Sequence, residues 1–532
     1  MARRRRTVLG ALALSTVASS LVLASATPAL AVPAQLPPIP SIPPIPTIPP
    51  IPTIPPFPTI PPFPTIPPIP GVNPAKNIIL LIGDGMGQTH IDATRIRYYG
   101  ANGRLNMEKL PELGSVKTYA VEEGNDKPDL VTDSAAAGTA WSSGVKTYNN
   151  ALGKDTRGNV VPTIMEQAKA AGLRTGNVST AEITDATPAA MFSHVSARGC
   201  QGPKFTTAAC VRPSGQGATD TVIAEQIARN NTADVILGGG LSRFEPDDQT
   251  ALQGHGYTVL GSFGNPALTD QTAASQTVPT RADLAGVSGP DRKVIGLFNR
   301  GNLTVEKSKE DNPTSVQAQE PSLVQMTSKA VELLANGSGS RNGFFLQVEG
   351  ALIDKRSHAN DAAQTLRENK EFDDSVAAAV AFAQQNRNTL VIVTADHECA
   401  GFNIIGKGSF TNAEAVAPPG NIDTGNPANN SSPTRQFSAN VKDPARSTGP
   451  INGSGSTDPK NFGPATFRTP DDAVGVADGS PDASLWLSYL SGNHTGADVP
   501  IYATGPGSSG FDQTIDNTDI FRLMKSALRL RG

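Results

Sequence analysis

Three of the six histidines in the chain stand in sequence settings that are typical of metal ligands. Asp354 and His358 are four residues apart, so a helix would place both side chains on one face, where they can bind one zinc ion. Asp396 and His397 directly follow an apolar segment, and His494 lies in a glycine-flanked loop. Any one of these settings is common on a solvated surface, but their joint occurrence predicts a metal centre.

Ser134 precedes an alanine-rich segment that is expected to begin a helix. A serine at this position is most often an N-cap. The alternative is a nucleophile at a helix N-terminus, where backbone N–H groups and the helix dipole favour phosphate. Neither a Gly-x-Ser-x-Gly nor a Gly-x4-Gly-Lys-Ser/Thr pattern includes this serine. If Ser134 is a nucleophile, a metal ion must lower the pKa of its hydroxyl.

Continuous apolar segments typical of buried strands alternate with helical patterns along the globular part of the chain. The predicted strands are residues 77–82, 234–237, 344–348 and 389–394, and the predicted helices are residues 160–171, 219–229, 323–335 and 369–385. This alternation predicts an α/β fold, a three-layer sandwich with a large, mostly parallel central sheet between helices. Because ligands bind beyond the carboxyl ends of such strands, Asp84, Glu349 and the pair Asp396 and His397 are expected to share one site.

The N-terminus has the organisation of an export signal. Arg3 to Arg6 precede an apolar run at residues 8–25, and small residues around Ala31 fit a cleavage site, which predicts a signal peptide at residues 1–31. A retained membrane anchor is the alternative. The export route, general secretory or twin-arginine, stays open. After processing we expect no transmembrane segment and a secreted or extracytoplasmic protein, in the periplasm or the cell envelope.

Residues 32–72 are proline-rich, and residues 37–70 repeat every six residues. Isoleucine or phenylalanine recurs at every third position, which in a polyproline II helix forms a stripe along one face. The segment is predicted to be either a plain stiff linker or a spacer whose apolar stripe contacts the cell envelope or another copy. About residues 405–490, rich in Gly, Pro, Asn and Ser, we predict a long surface insertion within a catalytic domain at residues 73–532.

Charge and cysteine content narrow the function further. The net charge is −4, with 44 Lys and Arg against 48 Asp and Glu, so no nucleic acid recognition is expected. Cys200 and Cys210 are close enough in sequence for a short disulfide loop in an oxidising compartment. Cys399 remains, and a buried thiol is favoured over a reactive one.

Several separated motifs together resemble those of the bacterial alkaline phosphatases, in the same order, from residue 76 to about residue 530. The motifs are Gly83 to Gly87, Thr132 to Ala136, Asn177 to Glu182 with Asp185 to Pro188 and His194 to Arg198, Gln347 to His358, Thr394 to His397, and the loop at His494 to Gly496. The resemblance implies an alkaline-phosphatase-like fold and hydrolysis of phosphate monoesters through a phosphoserine intermediate, with release of inorganic phosphate.

The family implies a role for each matching residue. Ser134 would be the nucleophile and Arg198 would bind two phosphate oxygens. The remaining residues would hold two zinc ions and one magnesium ion: Asp354, His358 and His494 for one zinc, Asp84, Asp396 and His397 for the other, and Asp84, Thr187, Glu349 and, through water, Asp185 for magnesium. Two metal ions neutralise a phosphate dianion and stabilise its attacking and leaving oxygens.

The sequence also departs from the family. Cys399 stands where several relatives carry a histidine, Ser357 replaces an acidic residue of some relatives, and Lys355 beside it could contact phosphate through water. Since the insertion is longer than in compact relatives, the oligomeric state, including a homodimer, stays open. A sulfatase would need Pro and Arg after the residue at position 134, and both are missing here. Phosphodiesterases of the superfamily use Thr as the nucleophile and lack an arginine equivalent to Arg198. A relative that only binds its ligand would have lost some of the metal ligands or the nucleophile. A phosphomonoesterase is therefore favoured.

Overall fold

The computed structural model of the chain describes residues 74–202, 210, 220–264, 276–407, 465–480 and 482–530. The predicted export signal, the proline-rich segment and residues 408–464 of the predicted insertion lie outside these residues. In the part of the chain that the structure describes, no helix is long and apolar enough to cross a lipid bilayer.

The elements follow one another along the chain as a repeating alternation of strands and helices. The strands are β1 (Asn77–Gly83), β2 (Glu112–Lys117), β3 (Ala120–Val121), β4 (Pro128–Asp129), β5 (Arg174–Glu182), β6 (Val235–Gly239), β7 (Tyr257–Leu260), β8 (Lys293–Leu297), β9 (Phe344–Gly350), β10 (Thr389–Thr394), β11 (Glu398–Cys399), β12 (Asn403–Ile405), β13 (Ala465–Phe467), β14 (Leu485–Ser488), β15 (His494–Thr495), β16 (Val499–Thr504) and β17 (Thr514–Asp516). The helices are α1 (Gln88–Tyr99), α2 (Ser134–Ser143), α3 (Ile164–Ala170), α4 (Ala186–Ala189), α5 (Ile223–Asn230), α6 (Pro246–Gly254), α7 (Arg281–Gly286), α8 (Glu306–Asp311), α9 (Leu323–Ala335), α10 (Leu352–His358), α11 (Ala362–Gln385) and α12 (Asn517–Ala527).

A ten-stranded sheet forms the centre of the molecule, in the order β17-β2-β16-β10-β1-β9-β5-β6-β8-β7. Among its described strands, β16 runs antiparallel to both neighbours and the other pairings are parallel. Helices α9 and α11 pack against each other and against β9, and α3 and α4 also contact β5 and β9. The predicted α/β sandwich with a mostly parallel sheet is therefore confirmed.

The four predicted strands are confirmed as β1, β6, β9 and β10, because central parallel strands are buried on both faces and consist of continuous apolar residues. Helix α9 also has the predicted bounds. Helix α3 begins later than predicted because Thr163 and Glu166 form a capping box at its start. Helix α11 begins earlier than predicted, since the side chain of Asp361 caps it by accepting from the N–H of Gln364.

A second, smaller hydrophobic cluster lies beside the main core. Strands β12, β14 and β13 form an antiparallel sheet, and the buried side chains of β13 and β14 pack with Phe402, Tyr489 and Ala93 of α1. Strands β13 and β14 belong to the range for which we predicted a surface insertion, yet both are buried throughout. Both strands are too short to show a period in the sequence.

Candidate active site

The carboxyl ends of three central strands bring the predicted ligands together. Ile82 of β1 is level with Glu349 of β9 and with Thr394 of β10, so the three strands end at the same edge of the sheet. Asp84 follows β1, and Asp396 follows β10 by two residues. The structure thus places these side chains at one edge, as expected from the parallel sheet.

Asp84, Asp396 and His397 form a compact buried group that could hold a metal ion. Nε2 of His397 lies 3.1 Å from Oδ2 of Asp396 and 3.7 Å from Oδ1 of Asp84. The other oxygen of Asp396, Oδ1, accepts hydrogen bonds from the backbone N–H groups of Gly85 and His397, each at 2.9 Å. Asp396 Oδ2 and Asp84 Oδ1 have no hydrogen-bond partner among the described residues, which fits a cation between them.

Asp354, His358 and His494 form a second group, joined by Cys399. Nδ1 of His358 lies 2.7 Å from the carbonyl oxygen of Gly492, and Nδ1 of His494 lies 2.9 Å from that of Thr132. Each Nδ1 must therefore be the protonated nitrogen, which leaves the Nε2 lone pairs free.

These Nε2 lone pairs converge on one carboxylate. Nε2 of His358 lies 3.2 Å from Oδ2 of Asp354, and Nε2 of His494 lies 3.6 Å from Oδ1 of Asp354. Histidine ligands of zinc usually donate their other ring nitrogen to a carbonyl or carboxylate. The oxygen and nitrogen donors of this group therefore fit zinc.

The two groups are adjacent, because the rings of His397 and His494 stack with 3.5 Å between their centroids. Burial, followed by the negative charge of Asp396, raises the pKa of Asp84 well above its usual value. Burial, followed by the nearby His397, lowers the pKa of His494 to about 4. Several buried carboxylates beside imidazoles make an environment that attracts cations.

Ser134 is the first residue of α2, and it is buried. The N-cap is Asp133, whose Oδ1 accepts a hydrogen bond of 2.9 Å from the N–H of Ala136. The interpretation of Ser134 as an N-cap is therefore wrong, because Asp133 performs that role. Oγ of Ser134 instead lies 3.3 Å from Nε2 of His397, next to the first metal-ligand group.

Arg198 is held at the start of α2 by two carboxylates. Its Nη1 donates to Oδ2 of Asp133 at 3.3 Å, and its Nη2 donates to Oδ1 of Asp185 at 2.9 Å. Lys355 donates to the other oxygen of Asp185 at 2.7 Å. Although burial raises the pKa of Asp185, the charges of Lys355 and Arg198 lower it by more, so the pKa lies far below its usual value.

The residues expected for magnesium are placed less compactly. Glu349 is buried, accepts a hydrogen bond from Oγ of Ser179, and has its pKa raised to about 8, mainly by burial. Thr187 is buried at α4, and its Oγ1 has no hydrogen-bond partner among the described residues. Asp185 is already paired with Arg198 and Lys355. Among the described residues, the compact groups of His, Cys, Asp and Glu side chains include neither Glu349 nor Asp185.

Sequence reasoning missed two residues of this site. Asp133 both caps α2 and binds Arg198, and the preference for aspartate at helix starts could have identified it. Ser179, which donates to Glu349, lies inside the buried strand β5, and no local pattern distinguishes it from other strand residues.

Comparisons with known proteins decide the family. A family model described as alkaline phosphatase matches residues 75–530. The alkaline phosphatase of Escherichia coli strain K12 is 39% identical over 480 residues, which cover 86% of this chain and 87% of that protein. The chain belongs to the alkaline phosphatase family. It is therefore a metal-dependent phosphoric monoester hydrolase, which confirms the activity predicted from the motifs.

Two further relatives extend the comparison of this alkaline phosphatase. Streptomycin-6-phosphate phosphatase of Streptomyces griseus is 41% identical over 346 residues, 61% of this chain and 74% of that protein. A solved variant of the alkaline phosphatase from the bacterium TAB5, with Mg bound in its M3 site, has a TM-score of 0.56 and 25% identity, covering 87% of this chain and 100% of that one. The fold of the TAB5 enzyme is thus shared over most of this chain.

Proposed function

We propose that this alkaline phosphatase hydrolyses phosphate monoesters through a phosphoserine on Ser134, beside two zinc ions and one magnesium ion. One observation carries the proposal: the segment around Ser134 contacts both metal-ligand groups. Oγ of Ser134 lies 3.3 Å from Nε2 of His397, and the carbonyl oxygen of Thr132 lies 2.9 Å from Nδ1 of His494. A nucleophile placed next to two cation sites suits an anionic substrate.

The ligand assignment follows the two compact groups. One zinc would be held by Asp354, His358 and His494, and the other by Asp84, Asp396 and His397. When bound, these ions would neutralise phosphate charge and lower the pKa values of a serine hydroxyl and of water.

Magnesium would be held by Asp84, Thr187 and Glu349, with Asp185 reached through water. The orphaned Oγ1 of Thr187 and the buried carboxyl of Glu349 support this assignment. The Mg-bound TAB5 variant supports the choice of ion.

The residues of the chain would perform the transfer in two displacements. Oγ of Ser134, its proton lost to solvent, forms a bond to phosphorus while the bond to the leaving-group oxygen breaks, and that oxygen takes up a proton. Water then attacks the phosphoserine, which releases inorganic phosphate and restores the Ser134 hydroxyl. Arg198, fixed by Asp133 and Asp185 at the N-terminus of α2, would bind two phosphate oxygens in both steps.

We propose a broad range of leaving groups and a role in releasing phosphate outside the cytoplasm. The relatives support a broad range of leaving groups, since one is named for hydrolysis of streptomycin 6-phosphate.

The signal-like residues 1–31 support export, with residues 73–532 as the catalytic domain behind the proline-rich segment. The apolar stripe of that segment would contact the envelope, and a homodimer is the assembly we propose. N-terminal sequencing of protein recovered outside the cytoplasm tests the cleavage after Ala31.

The first experiment is hydrolysis of p-nitrophenyl phosphate by the mature protein, before and after treatment with a chelator. Loss of activity on chelation, restored fully only by zinc together with magnesium, would support the proposed metals, and metal analysis should give two zinc ions and one magnesium ion per chain. Bis(p-nitrophenyl) phosphate and streptomycin 6-phosphate serve as parallel substrates. A metal-loaded protein that cleaves the diester and no monoester would overturn the proposal.

A further inference from the structure

Lys154 and Asp220 form an ion pair that is almost completely shielded from solvent. Their side chains are 1% and 2% exposed, and Nζ of Lys154 lies 2.6 Å from Oδ1 of Asp220. Lysine is rarely buried to this extent, because an ammonium group loses its hydration when it leaves water. Buried ion pairs add little net stability compared with apolar side chains of similar size, so stability alone does not explain the pair.

The pair converges on Ser196, two residues before Arg198. Nζ of Lys154 also donates to Oγ of Ser196 at 3.1 Å. Oδ2 of Asp220 accepts a hydrogen bond of 2.6 Å from the backbone N–H of the same serine. One charged pair therefore fixes both the side chain and the backbone of Ser196.

The segment that carries Arg198 is anchored at both of its ends. On one side, the backbone groups of Leu152 and Val195 exchange two hydrogen bonds of 2.9 Å, and the N–H of Arg198 donates to the carbonyl of Asn150 at 2.7 Å. These contacts tie the segment to residues 150–154, which include Lys154.

On the other side, the segment continues into the disulfide between Cys200 and Cys210, which confirms the predicted disulfide loop. The N–H of Asp220 donates to the carbonyl of Cys210 at 2.8 Å. Asp220 therefore lies beside the disulfide and against Ser196. The ion pair therefore links residues 150–154, through Lys154, to the region of the disulfide, through Asp220.

We propose that the Lys154–Asp220 pair is a positioning element for Arg198, which sets the affinity of the active site for phosphate. The inference rests on the proposed role of Arg198 as a phosphate ligand. The guanidinium must present its fork of N–H groups to two oxygens while it stays bonded to Asp133 and Asp185. A misplacement of about 1 Å in a positioned group can cost on the order of a hundredfold in rate, so the placement of this guanidinium matters to the site.

The test uses the metal-loaded enzyme and compares the inhibition constant of inorganic phosphate, KM, kcat, bound zinc and the melting temperature. Lys154→Met removes one charge, and the double variant with Asp220→Asn leaves no unpaired charge if the single variant fails to fold. Lys154→Arg keeps the charge. Arg198→Ala measures the full contribution of the guanidinium.

Lys169→Met is the matched control. Its Nζ also lies 2.6 Å from a carboxylate oxygen, that of Asp234, which stands at the opposite edge of the sheet from the site. Lys169→Met therefore removes an ion pair of the same N–O distance, with a more exposed lysine (26% against 1%), by the same change of side chain and without touching the Arg198 segment.

We expect Lys154→Met and the double variant to raise the inhibition constant of phosphate and KM together by about tenfold, with zinc content retained. Lys154→Arg should recover most of the affinity, and Lys169→Met should leave phosphate affinity unchanged. If the folded Lys154 variants keep phosphate affinity within about twofold of the parent while Arg198→Ala loses much of it, the positioning role of the ion pair is overturned and the role of Arg198 stands. No loss in Arg198→Ala overturns the proposed role of Arg198 itself.

Discussion

Nε2 of His358 and Nε2 of His494 face each other at 3.1 Å. Since each Nδ1 faces a carbonyl oxygen, neither Nε2 carries a proton when both rings are neutral, and two lone pairs meet beside the carboxylate of Asp354. Such an arrangement repels itself unless a proton or a metal cation lies between the three donors. The geometry therefore favours a positive charge at this position, which a bound zinc ion would supply.

Removal of the metal ions should consequently destabilise the folded protein. An ion that binds the folded state stabilises it by about 4 kcal/mol when its concentration is a thousand times its Kd. We expect the melting temperature at pH 8 to fall on chelation and to recover when zinc is restored. In His494→Ala the same chelation should shift the melting temperature less. Equal shifts in both proteins would mean that His494 binds no zinc.

Ser134→Ala should abolish catalysis and leave the helix intact. The substitution removes the proposed nucleophile, so we expect kcat to fall by several orders of magnitude with zinc content unchanged. Because Asp133 caps α2, Asp133→Ala should lower the free energy of unfolding by about 1 kcal/mol, and Ser134→Ala should change it by less than that. A residual rate within about tenfold of the parent would refute the nucleophile assignment.

The sequence was sufficient for the central strands and insufficient for elements whose polar residues are buried. Strands such as β1 and β10 are apolar at nearly every position, since both faces of the sheet are covered. The start of α11 was missed because Gln364, Thr365 and Glu368 are polar but buried. The hydroxyl of Tyr489 donates to Oγ1 of Thr365 from far away in sequence, and no local period can reveal such a partner.

In the active site, too, some features could be predicted from the sequence and others could not. The motifs identified Ser134 and the histidines, because their types and spacing are local properties of the chain. The contact between His494 and the carbonyl of Thr132 and the pairing of Asp185 with Lys355 depend on tertiary packing. The ion pair between Lys154 and Asp220 joins residues 66 positions apart and is likewise invisible before folding.

Gly85→Ala should lower zinc affinity as well as stability. Gly85 has φ +70°, and a Cβ there would lie 2.8 Å from Cβ of Cys399 and 2.9 Å from Cβ of Asp354. Its N–H also donates to Asp396. Gly124, at φ +77° with open space around it, is the matched control, so Gly124→Ala should show the backbone cost alone, about 1 to 2 kcal/mol. Zinc content should fall in Gly85→Ala only, and full zinc occupancy there would contradict the expected clash.

Cys399 should not react in the folded enzyme. Its side chain is fully buried, and burial together with the charge of Asp354 raises the pKa of the thiol well above its usual value. We expect no labelling by 5,5′-dithiobis(2-nitrobenzoate) under native conditions, with or without chelator, and one equivalent of thiol per chain after denaturation. Rapid labelling of the native protein would favour the reactive thiol that the sequence left as an alternative.

His194 should stabilise the fold at neutral pH and lose that effect as the pH rises. Its Nε2 lies 2.8 Å from Oε1 of Glu166, and its Nδ1 lies 2.8 Å from the carbonyl oxygen of Gly153. Both ring nitrogens face acceptors, so the doubly protonated ring fits best. Burial lowers the pKa of His194, but the hydrogen bond and charge of Glu166 raise it by more, and the folded-state pKa lies above the usual value.

The sign of the pH dependence follows from this raised pKa. Stabilisation by the charged ring is complete below the unfolded pKa of about 6.5 and is lost as the pH rises through the folded value. We expect the difference in unfolding free energy between the parent and His194→Gln to be largest near about pH 6 and to shrink toward about pH 9. Urea denaturation at saturating zinc measures it, with the exposed His255→Gln as control. A difference that stays constant across this range would mean that His194 remains neutral in the folded enzyme.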